Sequence, residues 1–256
     1  MRSFDTLGNV AIVNFPEKTK QKEKKLFAQK ILKEHNNIKT VLEKKEKIKG
    51  RFRKLSTSFI AGENSKEVLY KENNCVFRFN VDKTYFSPRL SNERTELASK
   101  IKKGSLVLVM FAGVAPFSIV IAKNSKAKKV FSNEINREAN KYAELNISLN
   151  KLKDKVELVS GDIKKVAKKI DKKFDVIVMP RPQLKDTFLN EAFSLSKKGT
   201  VVYYYDFCKI DEIDKIKEKV LEEAKKSRKK IKILDFKKAG EIAPYKIRLR
   251  VDFRVL

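Results

Sequence analysis

Four short segments place carboxylates, small residues or a cation at the ends of apolar runs: Phe111-Ala112-Gly113, Glu134-Ile135, Gly161-Asp162-Ile163 and Met179-Pro180-Arg181-Pro182. In open α/β sheets, ligands bind beyond the carboxyl ends of the strands, at the point where strand order reverses. Glu134, ending a second strand, would lie across such a crevice and accept both hydroxyls of a ribose. Asp162, ending a third, can accept from an adenine amino group. A pyrophosphate requires several glycine amides and an unobstructed helix N-terminus. Here Gly113 is the one glycine of the turn, Pro116 removes an amide, and Val114 and Phe117 crowd it. One glycine followed by two acids better suits a sulfonium nucleoside, S-adenosylmethionine. The competing reading is a tight turn with solvated acids. Phe111, Gly113, Glu134, Ile135, Asp162, Ile163 and Pro180 are the candidate cofactor contacts from these segments.

The elements that position these residues change character near residue 95. Before it, the runs "VAIVNF", "TVLEK", "VFRFNV" and "TYFS" read as short strands. One helix interrupts them, "TKQKEKKLFAQKILKEH", with Leu26, Phe27, Ile31 and Leu32 as its apolar stripe. After it, strands and helices alternate: "SLVLVMFA", "PFSIVIAKNS", "KKVFSNEI", "REANKYAELNISLNKL", "VELVSGD", "IKKVAKKI", "FDVIVMP", "LKDTFLNEAFSLSK", "GTVVYYYDF" and "IDEIDKIKEKVLEEAKKSRKK". Near-continuous apolar strands alternating with helices predict a mostly parallel sheet covered on both faces. The final runs "IKILDFKKAG" and "YKIRLRVDFRVL" read as an antiparallel hairpin closing one edge. The expected organisation is a small N-terminal α+β module, residues 1–94, followed by an α/β Rossmann-like domain, residues 95–256.

Sixty Lys and Arg against 32 Asp and Glu give a formal charge of +28, which favours a polyanionic partner. A lysine-rich genome would enrich lysine too, but accounts less easily for so large an imbalance. With Cys75, Cys208 and His35 as the whole set of cysteines and histidines, no zinc site can be assembled, and a Ser-His or Cys-His hydrolase is improbable. Both cysteines lie in apolar runs and read as buried thiols. No apolar run approaches the ~18 residues of a membrane span, and the first residues lack a signal-peptide pattern. The expectation is a cytoplasmic protein.

Beyond these readings, long segments resemble one family. "FDTLGNVAIV" is similar to an opening F-D-x-x-G-x-[IV]-A, "IKGRFRKL" to a G-x-x-R segment, and "TYFSPRLSNER" to the most distinctive signature of the set. "MFAGVAPFSI", "NEIN", "LNISLNKL", "GD" and "MPRP" follow in order. By these residues the chain resembles, over nearly its whole length, the archaeal and eukaryotic tRNA (guanine-N1) methyltransferases that modify the guanine just 3′ of the anticodon. Many members carry a further N-terminal domain that grips the tRNA body, and this numbering starts at the second module. Three departures stand out: Val109 replaces the acid before the glycine turn, Ala115 replaces a second glycine, and Pro180-Arg181-Pro182 replaces Asn-Leu-Pro.

The resemblance implies a class I S-adenosylmethionine-dependent methyltransferase with tRNA as its partner at the anticodon stem-loop. It implies a monomer needing no metal. Guanine N1 holds its proton too tightly to lose it freely, so a base near N1 and a donor near O6 are required. By resemblance Glu93 is that base and Arg53 the cation near O6, with Arg51 close enough in sequence for the assignment to slip. Tyr85, Ser87, Pro88, Arg89 and Arg181 are expected to receive the extruded guanine and its phosphates, and Arg94 the cofactor carboxylate. The altered "MPRP" raises the alternative of methylating a tricyclic wyosine precursor, 4-demethylwyosine, at the same nucleotide. Two further readings are transfer of the aminocarboxypropyl group of the same cofactor, and a non-catalytic RNA-binding protein that kept the fold.

Overall fold

The chain begins with two short strands, β1 (Phe4–Leu7) and β2 (Val10–Val13), turned at Gly8. The structure is a computed structural model that describes residues 4–49 and 54–256. Gly8 has φ +58°, and a Cβ there would sit 2.1 Å from the Leu69 carbonyl oxygen, so only glycine lets the two backbones meet. Helix α1 (Gln21–Glu34) crosses over to β3 (Thr40–Lys49), which runs parallel to β2, and β4 (Lys54–Gly62) pairs antiparallel to β3. One face of this four-stranded sheet buries Ala11, Val13, Val41 and Ile60 against Ala28 and Ile31 of α1. Of the expected stripe, Ile31 is buried and Leu26 is exposed, because the contact face runs through Ala28 instead.

A hairpin follows, β5 (Glu67–Glu72) and β6 (Cys75–Asn80). The expected strand "TYFS" is irregular: residues 81–84 form a turn and 85–87 an extended link, with Thr84 bonded through its amide and hydroxyl to the Asn80 carbonyl. One 3-10 turn, Pro88–Leu90, then leads into α2 (Ser91–Lys100). The alternating part follows in order: β7 (Leu106–Val109), α3 (Pro116–Asn124), β8 (Lys129–Glu134), α4 (Arg137–Leu149), β9 (Val156–Ser160), α5 (Ile163–Val166), β10 (Phe174–Met179), α6 (Leu189–Ser194), β11 (Ser196–Lys209), α7 (Ile213–Lys226), β12 (Ile231–Ala243) and β13 (Lys246–Val255). The sheet order is β12-β13-β11-β10-β7-β8-β9. Strands β7 to β11 pair in parallel and β12–β13 is the antiparallel hairpin at the edge, as the pattern predicted. Alternate strand residues feed two cores: Val107, Val109, Val178 and Tyr205 pack with α2, α3 and α4, and Leu108, Ile177, Val202 and Phe253 with α5, α6 and α7.

The "LNISLN" run explains how the hairpin is fastened. Asn146 of α4 and Asn150, the C-cap one turn further on, are both buried and substitute for a neighbouring strand along β6. Asn146 accepts from the Arg78 amide at 2.7 Å, and Asn150 accepts from the Val76 amide and donates to its carbonyl at 2.9 and 2.7 Å. The helix expected over "LKDTFLNEAFSLSK" shrinks to α6, because Phe188 takes φ +56° and its amide donates to the Asp186 side chain. Cys75 and Cys208 are both buried free thiols. No helix among the described residues is long and apolar enough to cross a membrane.

Burial also sets an alkaline limit on stability. It raises the phenols of Tyr203, Tyr204 and Tyr205, that of Tyr203 to about 12. A phenol raised on folding contributes stability that is complete below its unfolded value near ~10 and disappears as pH climbs through the folded value. Unfolding free energy from urea titrations is therefore expected to fall between pH 10 and about 12, by up to ~1.4 kcal/mol per pH unit per tyrosine. Constant stability across that window would contradict the burial argument.

Candidate active site

At the carboxyl ends of β7, β8 and β10, where strand order reverses, a cleft opens. Phe111, Ile135, Ala139, Pro180, Leu184 and Leu90 supply apolar walls, and Glu134 is the acid of the lining. The turn after β7 is strained: Phe111, Gly113 and Ala115 have φ of +58°, +60° and +66°. Left-handed backbone at the two non-glycines costs roughly 1–2 kcal/mol each, and such strain collects at ligand clamps. Bonds from Ala112 N to Asn133 O (2.8 Å) and from Ala115 N to Ala112 O (3.0 Å) hold it. The Asn146 side-chain amide donates to Val114 O at 3.1 Å, joining the turn to the residue that fastens the hairpin.

The Glu134 carboxylate is the pivot of the turn. It accepts from the amides of Gly113 (2.7 Å), Ile135 (2.9 Å) and Asn136 (2.7 Å), so it is oriented before any ligand arrives. Asn136 caps α4 through its side chain and donates to Lys83 O, drawing the loop before α2 toward the cleft. Tyr85 of that loop lines the cleft.

The next residue of the loop, half-buried, is held by aromatic packing. Phe86 sits among Tyr70, Phe77 and Phe79, with ring centroids 5.0, 5.6 and 4.7 Å away. Arg94 lies between Phe86 and Phe117, is 1% exposed, and grips Glu72 of β5 through two bonds of 2.5 and 2.6 Å. It also donates to the Ser87 carbonyl at 3.1 Å. One residue earlier on α2, Glu93 is 5% exposed and accepts from the Tyr205 hydroxyl (2.9 Å) and from Arg250, whose guanidinium is shared with Glu96 and Asp252. Lys237 stands 3.5 Å from Glu93. This charged layer lies between α2 and the β12–β13 hairpin.

Comparison with known proteins decides what this architecture is. Residues 68–234 match the TRM5/TYW2 methyltransferase domain, and residues 1–65 match the TYW2 N-terminal domain. The chain belongs to the TRM5/TYW2 methyltransferase family. A tRNA (guanine(37)-N(1))-methyltransferase, Trm5b of Pyrococcus abyssi, is 39% identical over 99% of this chain and 74% of its own length. Its crystal structure superposes with a TM-score of 0.86 over the same shares, at 38% identity. Taw22 of Nanoarchaeum equitans, a tRNA (guanine(37)-N(1))/4-demethylwyosine(37)-methyltransferase, is 31% identical over 99% of this chain and its own whole length. A complex of aTrm5 with tRNALeu aligns at TM-score 0.83 and 30% identity, over 99% of this chain and 72% of that one.

Within this family fold, Tyr85, Phe111, Gly113, Glu134, Ile135, Pro180 and Arg181 come together in the cleft. Several expected residues do not. Arg94, expected at the cofactor carboxylate, is bonded to Glu72 and the Ser87 carbonyl and lies outside the cleft lining. Arg181, expected to meet substrate, lines the cleft but spends its guanidinium internally: it pairs with Asp206 and donates to the carbonyls of Pro182, Leu184 and Asp186. It ties the "PRP" loop, and only part of its side chain faces the cleft. Asp162 caps α5 and Ile163 is buried in the second core, so neither lines the cleft. Ser87, Pro88 and Arg89 also lie outside the lining, and Glu93 sits behind it. Arg53 and Arg51 fall outside the described residues. Sequence reasoning missed Leu90, Asn136, Ala139, Pro182, Leu184 and Arg248 as lining residues. The alternation "KIRLRVDF" was the available signal for Arg248, since charges at every second position mark one face of a strand.

Proposed function

We propose that this protein transfers the methyl group of S-adenosylmethionine to N1 of the guanine 3′-adjacent to the tRNA anticodon. The observation that carries this reading is the cleft at the sheet's switch point, with Glu134 fixed at its turn, in a chain 39% identical over 99% of its length to a tRNA (guanine(37)-N(1))-methyltransferase. The residues present fit the cofactor. Glu134 offers carboxylate oxygens to a ribose diol and a counter-charge to a sulfonium, while Phe111, Ile135 and Ala139 give an apolar seat for adenine. Bound there, the cofactor supplies an electrophilic methyl group.

The remaining work falls to this chain's own side chains. Chemistry at N1 needs the Watson–Crick edge exposed, so the guanine enters the cleft unpaired. Glu93 takes the N1 proton. Arg250 and Tyr205 both donate to its carboxylate and fix its direction, and catalytic contacts of this kind tighten when substrate arrives. Arg53 stabilises the charge growing on O6. The protein acts as a monomer in the cytoplasm and uses no metal ion.

Glu134→Gln is expected to weaken S-adenosylmethionine binding about 10–100-fold, since one charge-assisted bond contributes ~1.5–3 kcal/mol. Calorimetry showing unchanged affinity would remove Glu134 from the cofactor site. The reading as a whole is tested by labelled methyl transfer to an unmodified tRNA transcript, beside one with adenine in place of the guanine 3′ of the anticodon. Label on both, or on neither, would contradict it.

A second reading, methylation of 4-demethylwyosine as an added activity, is favoured by the match of residues 1–65 to the TYW2 N-terminal domain and by the two-activity relative. Transfer to tRNA carrying 4-demethylwyosine tests it.

A further inference from the structure

The interior arginines Arg94, Arg181 and Arg250 each hold a carboxylate: Glu72, Asp206, and Glu93 with Glu96 and Asp252. Arg248 is the exception. It is 8% exposed, lines the cleft, and has no hydrogen bond or ion pair from its side chain to any described residue. Its guanidinium lies 5.2 Å over the Phe207 ring, its antiparallel neighbour on β11. None of its guanidinium nitrogens is both buried and unpaired, so the group reaches the open space of the cleft. Stacking on Phe207 holds it there, with its donors available to an anion that arrives with a ligand.

Resting on the methyltransferase reading, two anions enter this cleft: the methionine carboxylate of the cofactor and the phosphates flanking the target nucleotide. Position separates them. From β8, which carries Glu134, to β13, which carries Arg248, the order β8-β7-β10-β11-β13 spans four strand spacings, roughly 19 Å. A cofactor whose ribose sits on Glu134 lies over β8 and β7, whereas Arg248 stands beyond β10 and β11 on the other side of the cleft. We infer that Arg248 is the phosphate-binding residue of the cleft, receiving a backbone phosphate of the nucleotide being methylated. Arg and phosphate match in planar, paired hydrogen bonds. A phosphate held there fixes the depth to which the base enters.

The test is a coupling measurement by fluorescence anisotropy. Wild type and Arg248→Met bind an anticodon stem-loop RNA, unmodified or carrying a methylphosphonate at one of the two phosphates flanking the target guanosine. Arg248→Met is expected to bind the unmodified RNA about 10-fold more weakly, with a log–log salt slope shallower by about 0.7. Wild type is expected to lose a similar factor with one of the methylphosphonates. Arg248→Met loses little more with that same RNA, Arg248→Lys keeps most of the affinity, and calorimetric affinity for S-adenosylmethionine stays unchanged. Weaker cofactor binding with RNA binding intact would assign Arg248 to the methionine carboxylate and overturn the proposal. Equal RNA binding by wild type and a folded Arg248→Met would overturn it too, as would a wild type indifferent to both methylphosphonates. Because anisotropy reads no methyl transfer, a wild type that shows the coupling but fails to methylate refutes the proposed reaction and leaves the phosphate site standing.

Discussion

Glu93→Gln is expected to lower the single-turnover rate of methyl transfer by about 10²–10⁴-fold, the range for losing a positioned general base. The substitution is nearly isosteric, and its amide oxygen can still accept from Tyr205 and Arg250, the two donors that reach Glu93 in the structure. Arg250 also retains Asp252 and Glu96, so the charged layer keeps its other carboxylates. Stability and the affinities for both substrates should therefore move far less than the rate, since the loss falls on the transition state. A near wild-type rate would remove Glu93 as the base. Asp206 is a poor successor, because Tyr204, Arg181, Lys219 and the Phe207 amide already occupy it.

Arg94→Met is expected to reduce the unfolding free energy by about 3–5 kcal/mol, the cost of breaking a buried pair and leaving one charge behind. Arg94 and Glu72 side chains are 1% and 3% exposed, so water cannot compensate for the lost partner. Against a typical total of about 5–15 kcal/mol, that is a large fraction. Adding Glu72→Leu to Arg94→Met should restore much of the loss, because the orphaned carboxylate is gone. Urea unfolding of the three proteins checks both steps. If Arg94→Met lies within about 1 kcal/mol of wild type while its folded form loses affinity for S-adenosylmethionine, Arg94 is a cofactor ligand after all.

The alternation of apolar strands and helices from residue 95 onward led directly to the seven-stranded sheet, its switch point and its antiparallel edge. Local chemistry was legible where backbone rules apply. A lone glycine after β7 and an acid after β8 do meet, at 2.7 Å. What could not be read was which charges are spent internally. "SNER" places Glu93 and Arg94 side by side, yet their partners Tyr205, Arg250 and Glu72 lie 112, 157 and 22 residues away. "PRP" resembles a ligand loop, but Asp206, at 25 residues' separation, claims its arginine. Arg248, Arg250 and Asp252 alternate with Leu249, Val251 and Phe253, a pattern that alone reads as a solvated face. It becomes a buried charged layer because α2 covers it, and in covered sheets such a file marks function or a paired network.

The central claim is the position of the new carbon–nitrogen bond, and nucleoside mass spectrometry of the reaction product tests it most directly. An unmodified tRNA transcript is incubated with the protein and S-adenosylmethionine, digested, and compared with methylguanosine standards that differ in ring position. The account predicts one added methyl, eluting as 1-methylguanosine and mapping to the nucleotide just 3′ of the anticodon. A methyl on another ring atom or another nucleotide, or no methylated nucleoside at all, would contradict it.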